Sequence, residues 1–302
     1  MRGSPYWVHH VGVTTPVQRY HRHFLRGPIP AATGGSMASK LRGSYRLLRI
    51  FVYLLYGLWL SLRYGFGPAG EARMAEVRWR WYRRAMELAG VEIRVDGRPP
   101  DGPALVVSNH VSWLDIPVLG AVMDVRFLSK AEVARWPLIG WLARRNGTLF
   151  IHRGAHHASQ IVRDMSEALS RGQRVVLFPE ATTSTGAEVR RFHPRLFAAA
   201  VATGTPVQPV ALEHERGADG SPPAAAFVDG EWFLVHAWRI LCRPRTVVQV
   251  HLLPPLPVTE HSTRRELADA ARCVVLAALG LPGDGSAAAT GSARAGDRQR
   301  TG

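Results

Sequence analysis

From Val91 onward, short β-branched apolar runs alternate with segments whose apolar residues recur at helical spacing. The runs predict strands over Val91–Val95, Ala104–Ser108, Val125–Leu128, Thr148–Ile151, Arg174–Phe178, Pro206–Leu212 and Thr246–Leu253. The helical periods fall over Trp113–Met123, Glu132–Arg144, His156–Ser170, Arg195–Ala202 and Arg264–Leu279. Short strands separated by helices of about ten to fifteen residues predict an α/β domain over 90–281, with a mixed, mostly parallel sheet flanked by helices. The stretch Gly217–Trp232, with Pro222 and Pro223, fits neither pattern.

Ahead of this domain the pattern changes. Leu47–Leu62 carries one charge, Arg49, and is shorter than the roughly 18–20 apolar residues that cross a bilayer. Lys40, Arg42, Arg46 and Arg49 lie before or within it, Arg63 follows, and Tyr53, Tyr56 and Trp59 are aromatics of the kind that favour a membrane interface. A buried core helix is the alternative reading. The next segment, about Glu71–Leu88, sets Met74, Val77, Trp81, Ala85 and Leu88 on one helical face and arginines mostly elsewhere, until Gly90 stops it. The expectation is an N-terminal membrane-embedding helical segment over 37–89.

Charge sharpens that picture. The chain has 302 residues, 46% hydrophobic, and a formal net charge of +15. A core of that size needs no disulfide or metal staple, and a disordered polyelectrolyte is excluded. Lys40 and Lys130 are the only lysines, so the excess is arginine. Between Lys40 and Arg98 twelve basic residues face five acidic ones, around the segments proposed to touch lipid. No recognisable nucleic-acid module accompanies the charge, so no nucleic-acid partner is expected. Cys242 and Cys273 form neither a metal spacing nor a disulfide framework, which fits a reducing compartment. Residues 1–36 hold four arginines, four histidines and no acid, and read as a disordered basic leader, with Met37 as an alternative start. They contain no apolar run of the kind a cleavable secretory signal needs. Residues 282–302 read as a disordered tail rich in Gly, Ala and Ser.

Candidate chemistry collects where strands end, which is where α/β sheets keep their sites. After the strand ALVVS come Asn109, His110, Val111, Ser112, Trp113, Leu114 and Asp115. A neutral imidazole there can take a proton from a hydroxyl if its other ring nitrogen donates to an orienting acceptor, and Asp115 is the candidate acceptor. Five residues on one continuous helix would put the two side chains on different faces. They meet only if His110 lies in a turn and Asp115 in the first helical turn. Arg153 follows the fourth predicted strand, and Phe178-Pro179-Glu180-Ala181-Thr182-Thr183 follows the fifth. A base, a cation and a polar loop at three strand ends read as one site.

The ordered segments NHVSWLD, GTLFIHR, FPEATTSTG and TPVQPVAL, spanning about Val106 to Leu212, resemble the four motifs of the membrane-associated glycerolipid acyltransferases, the 1-acylglycerol-3-phosphate O-acyltransferase family. The resemblance implies transfer of a fatty acyl group from acyl-CoA or acyl-carrier protein to a lysophospholipid hydroxyl, without metal or other cofactor, at the cytoplasmic face of the inner membrane. It implies His110 as general base and Asp115 as its partner. Arg153, Lys130, Glu180, Ala181, Thr182 and Thr183 would bind substrate, with Asn109, Ser112, Phe178 and Pro179 in support. Ser112 reads as a helix cap or backbone binder, because no G-x-S-x-G elbow supports a covalent serine. Backbone amides near the first motif are candidate oxyanion donors.

Two departures bear on the acceptor. Ala181 replaces the family's glycine, and Thr183 stands where an arginine often follows. The first reading is 1-acylglycerol-3-phosphate to phosphatidic acid. The alternative is another lysolipid, lyso-ornithine lipid or a zwitterionic lysophospholipid, which suits a less positive site. A lipid hydrolase and a non-enzymatic membrane-binding protein are more remote readings.

Overall fold

The computed structural model describes residues 36–64, 67–136, 139–145, 148–151, 158–228 and 231–283. Two long helices, α1 (Met37–Tyr64) and α2 (Gly67–Ala89), lead into β1 (Val91–Asp96) and β2 (Ala104–Ser108). Then come α3 (Asp115–Val122), β3 (Arg126–Lys130), α4 (Ile139–Arg145), β4 (Leu149–Ile151), α5 (Ala158–Ser170) and β5 (Arg174–Leu177). The chain continues with α6 (Ala198–Thr203), β6 (Val207–His214), α7 (Phe233–Cys242), β7 (Thr246–Leu252) and α8 (Arg264–Leu279).

The sheet runs β1-β7-β6-β2-β5-β3-β4, parallel throughout except between β6 and β7. This is the mixed, mostly parallel sheet expected. β2 is buried along its whole length, because helices cover both faces of a parallel sheet and leave no wet side for polar alternation. Its side chains divide by parity. Ala104 and Val106 pack with α2, α3 and α7, while Leu105 and Val107 pack with α5, α6 and α8. β2 lies between β5 and β6, so the chain's progress along the sheet reverses around it, the kind of switch point at which α/β sheets place sites outside the carboxyl ends of their strands.

The membrane-embedding expectation is corrected. Among the described residues no helix is long and apolar enough to cross a membrane. α1 has 28 residues, but it carries Lys40, Arg42, Arg46, Arg49 and Arg63, and it packs along α2 and α7. Tyr53 stacks on Trp81 at 5.6 Å, and Gly57 gives that indole room, since a Cβ there would lie 2.7 Å from its nitrogen. Ile50 packs against the core, while Leu47, Leu48, Phe51 and Trp59 stay exposed.

The basic surplus is also partly internal. Arg42 donates to the Cys242 carbonyl at 2.9 Å. Arg46 donates to those of Leu241, Arg243 and Pro244, closing the C-terminus of α7, whose last carbonyls have no helical partner. Burial lowers the Arg46 pKa, and the neighbouring Arg42 adds to the shift. Arg78, buried, pairs with Asp124 at 2.7 Å, and Arg84 with Glu87 at 2.8 Å.

α7 was not predicted. Its residues follow the unassigned 217–232 stretch, and its outer side keeps Leu234 and Val235 exposed, which blurs the helical period. The expected leader and tail lie outside the described residues apart from Ser36, Pro282 and Gly283.

Replacing Arg46 by alanine orphans three carbonyls at the end of α7. The expected loss is about 2 kcal/mol of stability, seen as a fall of about 5 °C in the thermal unfolding midpoint by circular dichroism. An unchanged midpoint would show that water replaces the guanidinium without cost.

Candidate active site

Where β2 ends, the Asn109 side chain takes over from the backbone. Its amide donates to the Leu212 carbonyl at 2.9 Å and its carbonyl accepts from the Leu212 amide at 2.8 Å. A primary amide can imitate a peptide group in this way, extending the β2–β6 ladder by one step while the main chain turns out of the sheet. The next residue, His110, is held by its backbone: its N–H donates to Glu180 at 2.7 Å and its carbonyl accepts from the Ser184 amide at 2.8 Å. Its ring lies flat on Phe178, with centroids 4.0 Å apart, and keeps 17% side-chain exposure.

Asp115 opens α3 and is fully buried. Its Oδ2 accepts from His110 Nδ1 at 2.8 Å and from the amides of Val111 and Ser112 at 2.7 and 2.9 Å. Its Oδ1 accepts from His214 Nε2 at 2.6 Å. Burial alone would raise the carboxyl's pKa. The electropositive N–H edges of His214 and His110, and the hydrogen bonds they donate, outweigh that and hold it below the usual range. An ionised carboxylate only accepts, so Nδ1 of His110 is the donor in this bond, and in the neutral ring the lone pair sits on Nε2, on the opposite side. The site can therefore accept a proton at Nε2 and stabilise the resulting imidazolium through Asp115.

The same bonds narrow the choice of oxyanion donors near the first motif. The amides of His110, Val111 and Ser112 serve the two buried carboxylates, and those of Leu114 and Asp115 bond to Ser112 Oγ and the Ser112 carbonyl. Ser112 is thus buried and bonded to backbone, and those amides are unavailable to a substrate oxygen.

The loop after β5 braces this turn. The Pro179 carbonyl accepts from His193 N at 3.0 Å. Glu180 is only 4% exposed, and its two oxygens accept from the backbone of His110 and Arg190. Burial pushes its pKa up, partly opposed by those two bonds. It faces inward, with both oxygens engaged by backbone. Ala181 closes a turn onto the Phe178 carbonyl at φ +59°, in the left-handed region that glycine favours. Thr182 is half-buried, and the Thr183 hydroxyl donates to the Phe227 carbonyl. Lys130 is the last residue of β3, and Arg153 lies outside the described residues, as do His156 and His157.

Phe227 belongs to the stretch that sequence patterns could not place. Its N–H donates to the Val111 carbonyl at 2.9 Å, so Phe227 laces the first and third motifs together. The end of the stretch also meets α7. Trp113 Nε1–H donates to His236 Nδ1 at 2.9 Å, and His236 Nε2–H donates to the Ala226 carbonyl at 3.1 Å, a buried neutral histidine whose pKa burial lowers. Neither Phe227, His236 nor His214 belongs to a local pattern, so no sequence signal marks them. Among the described residues no group of three or more His, Cys, Asp or Glu is placed to hold a metal ion.

Comparison with known proteins adds four findings. The family model described as Acyltransferase matches residues 91–213. Lyso-ornithine lipid O-acyltransferase of Pseudomonas aeruginosa is 42% identical over 264 residues, covering 85% of this chain and 99% of that protein. 1-Acyl-sn-glycerol-3-phosphate acyltransferase of Neisseria gonorrhoeae is 36% identical over 189 residues, 60% of this chain and 73% of that one. Among solved structures, the crystal structure of the 1-acyl-sn-glycerophosphate acyltransferase of Thermotoga maritima matches with a TM-score of 0.62 at 23% identity, over 80% of this chain and 94% of that one, a likeness of fold.

Two outcomes follow from the local geometry. A181G relieves the left-handed alanine and is expected to add about 0.5–1 kcal/mol of stability, measured as a higher urea midpoint; a lower midpoint would mean that the methyl contributes packing. For Asp115, whose folded pKa lies below its ordinary 3.8, stabilisation is complete above that value and is lost as pH falls below it. Wild type should therefore lose stability steeply on acidification below about pH 4, while D115N, already weaker at neutral pH, should lack that added loss. Parallel curves from urea titrations at several pH values would refute the assignment.

Proposed function

The chain belongs to the acyltransferase family of enzymes that act on lysophospholipid-type acceptors, and on that premise we propose that it moves a fatty acyl group from a thioester donor, acyl-CoA or acyl-carrier protein, to the free hydroxyl of lyso-ornithine lipid. The observation that carries the acceptor choice is the likeness, over 99% of its length, to a lyso-ornithine lipid O-acyltransferase. The third-motif loop supports it. Thr183 replaces the arginine often found there and ties its hydroxyl to Phe227, which leaves that position without a bidentate phosphate partner. An ornithine headgroup presents a carboxylate and an amine instead of a phosphate.

In this reading His110 Nε2 removes the acceptor's hydroxyl proton as the oxygen attacks the thioester carbonyl. The new C–O bond forms, the C–S bond breaks, and the imidazolium returns its proton to the departing thiolate. Asp115 holds the ring in the tautomer that leaves Nε2 free and balances the transient positive charge. Phe178 sets the ring plane, Glu180 fixes its backbone, Asn109 holds the end of β2 in register with β6, and Pro179 ties the loop after β5 to His193. We assign Arg153 and Lys130 to the acidic groups of acceptor and donor, and Ala181 and Thr182 to the rim of the acceptor site. We place the enzyme at the cytoplasmic face of the inner membrane, where a lipid acceptor and a soluble thioester donor are both within reach; its two free cysteines fit that side.

A second reading keeps 1-acylglycerol-3-phosphate as acceptor, favoured by the 36% identity to the Neisseria gonorrhoeae enzyme. The test is turnover of purified protein with acyl-CoA and acyl-carrier protein donors against lyso-ornithine lipid, lysophosphatidic acid and lysophosphatidylethanolamine. Lyso-ornithine lipid should give diacyl product with the highest kcat/KM, and H110A should lower kcat by roughly 10²–10⁴-fold. Preference for lysophosphatidic acid would overturn the acceptor, full activity of H110A the base, and fatty acid release without acceptor the transferase reading itself.

A further inference from the structure

His214 is the last residue of β6, in register with Val248 of β7, and its side chain is fully buried. It lies 99 residues from Asp115 in the chain, yet its Nε2 stands 2.6 Å from Asp115 Oδ1. The other three donors to this carboxylate, the amides of Val111 and Ser112 and the ring of His110, all converge on Oδ2. Oδ1 thus has His214 as its partner among the described residues. We propose that His214 is a positioning residue for the His110–Asp115 pair, acting from the rigid end of a central strand.

Two features carry this inference, which rests on the reading of His110 as base. The terminal torsion of an aspartate is broad and two-fold, so a carboxylate held through one oxygen alone can rock or exchange its oxygens. A donor on Oδ1 from a separate, sheet-anchored element removes that freedom and keeps Oδ2 aimed at His110 Nδ1. The second feature is His214 Nδ1, which is buried with no hydrogen-bond partner among the described residues. Among the described residues the ring's hydrogen bond is therefore the one from Nε2 to Asp115, and no partner at Nδ1 competes for its orientation.

The geometry distinguishes positioning from cavity filling, because glutamine and asparagine place their amide nitrogens differently. In H214Q the amide nitrogen falls near the position of Nε2, while in H214N it falls near Nδ1, short of Asp115. H214L fills space without any donor. With acyl-CoA as donor and both lyso-ornithine lipid and lysophosphatidic acid supplied as acceptors, H214L and H214N should lose kcat on the order of tenfold or more, with KM within about twofold of wild type. H214Q should recover most of that loss. Thermal unfolding checks that each variant is folded; if H214L is not, the Gln and Asn pair decides.

Wild-type kcat in a folded H214L, or equal impairment of H214Q and H214N, would overturn the role of His214. H110A, run beside them, separates the two levels. An active H110A faults the base assignment beneath this inference, whereas an inactive H110A with a fully active H214L faults the inference alone.

Discussion

A carboxylate placed in a protein interior loses its water, a cost of several kcal/mol unless hydrogen bonds replace it. Asp115 has no exposed surface, so its four donors are a condition for the fold as well as a feature of the site. Two of them are amides of the turn that leaves β2, which forces that turn to curl back over the start of α3. One is the ring of His110, which fixes the tautomer. The fourth comes from the far end of β6, so the carboxylate also records the register between β2 and β6. Removing any one leaves a buried charge less well solvated, and the remaining bonds carry the strain.

Glu180 repeats the arrangement on the other side of His110. Its two oxygens join the His110 and Arg190 amides, and burial makes its charge costly as well. Between them the two buried carboxylates immobilise both the backbone and the ring of the same histidine, with Phe178 beneath it. That rigidity suits the role of base proposed for His110, because catalytic hydrogen bonds are productive only within a narrow range of distance and angle. The same bonds occupy the amides of His110, Val111, Ser112, Leu114 and Asp115.

Before the sheet, the arrangement of charge follows similar logic. Arg42 and Arg46 sit within the basic flank that composition assigns to lipid headgroups, but they bond to the carbonyls that end α7. Arg78 is inside, against Asp124. Guanidinium groups carry long aliphatic stems and several donors, so they reach a helix end from a neighbouring helix with little strain. An arginine count measures how much charge there is; it does not say whether a carbonyl or a phosphate receives it.

The sequence by itself determined the alternation of strands and helices, most element boundaries to within a few residues, and the grouping of His110, Asp115 and the 178–183 loop at strand ends. These depend on local periodicity and on short spacings, which one chain segment displays alone. Ala181 was legible as a departure, and its left-handed backbone explains why glycine is the usual residue there. Only the tertiary structure decided that His214 reaches Asp115, that Phe227 ties the first motif to the third, and that Glu180 faces inward. It likewise decided that α1 packs on α2 and α7, where the apolar run alone suggested a membrane-embedded segment. In each case the partner lies far away in sequence or on another element, and a hydrogen bond between distant segments leaves no trace in the local pattern of either one.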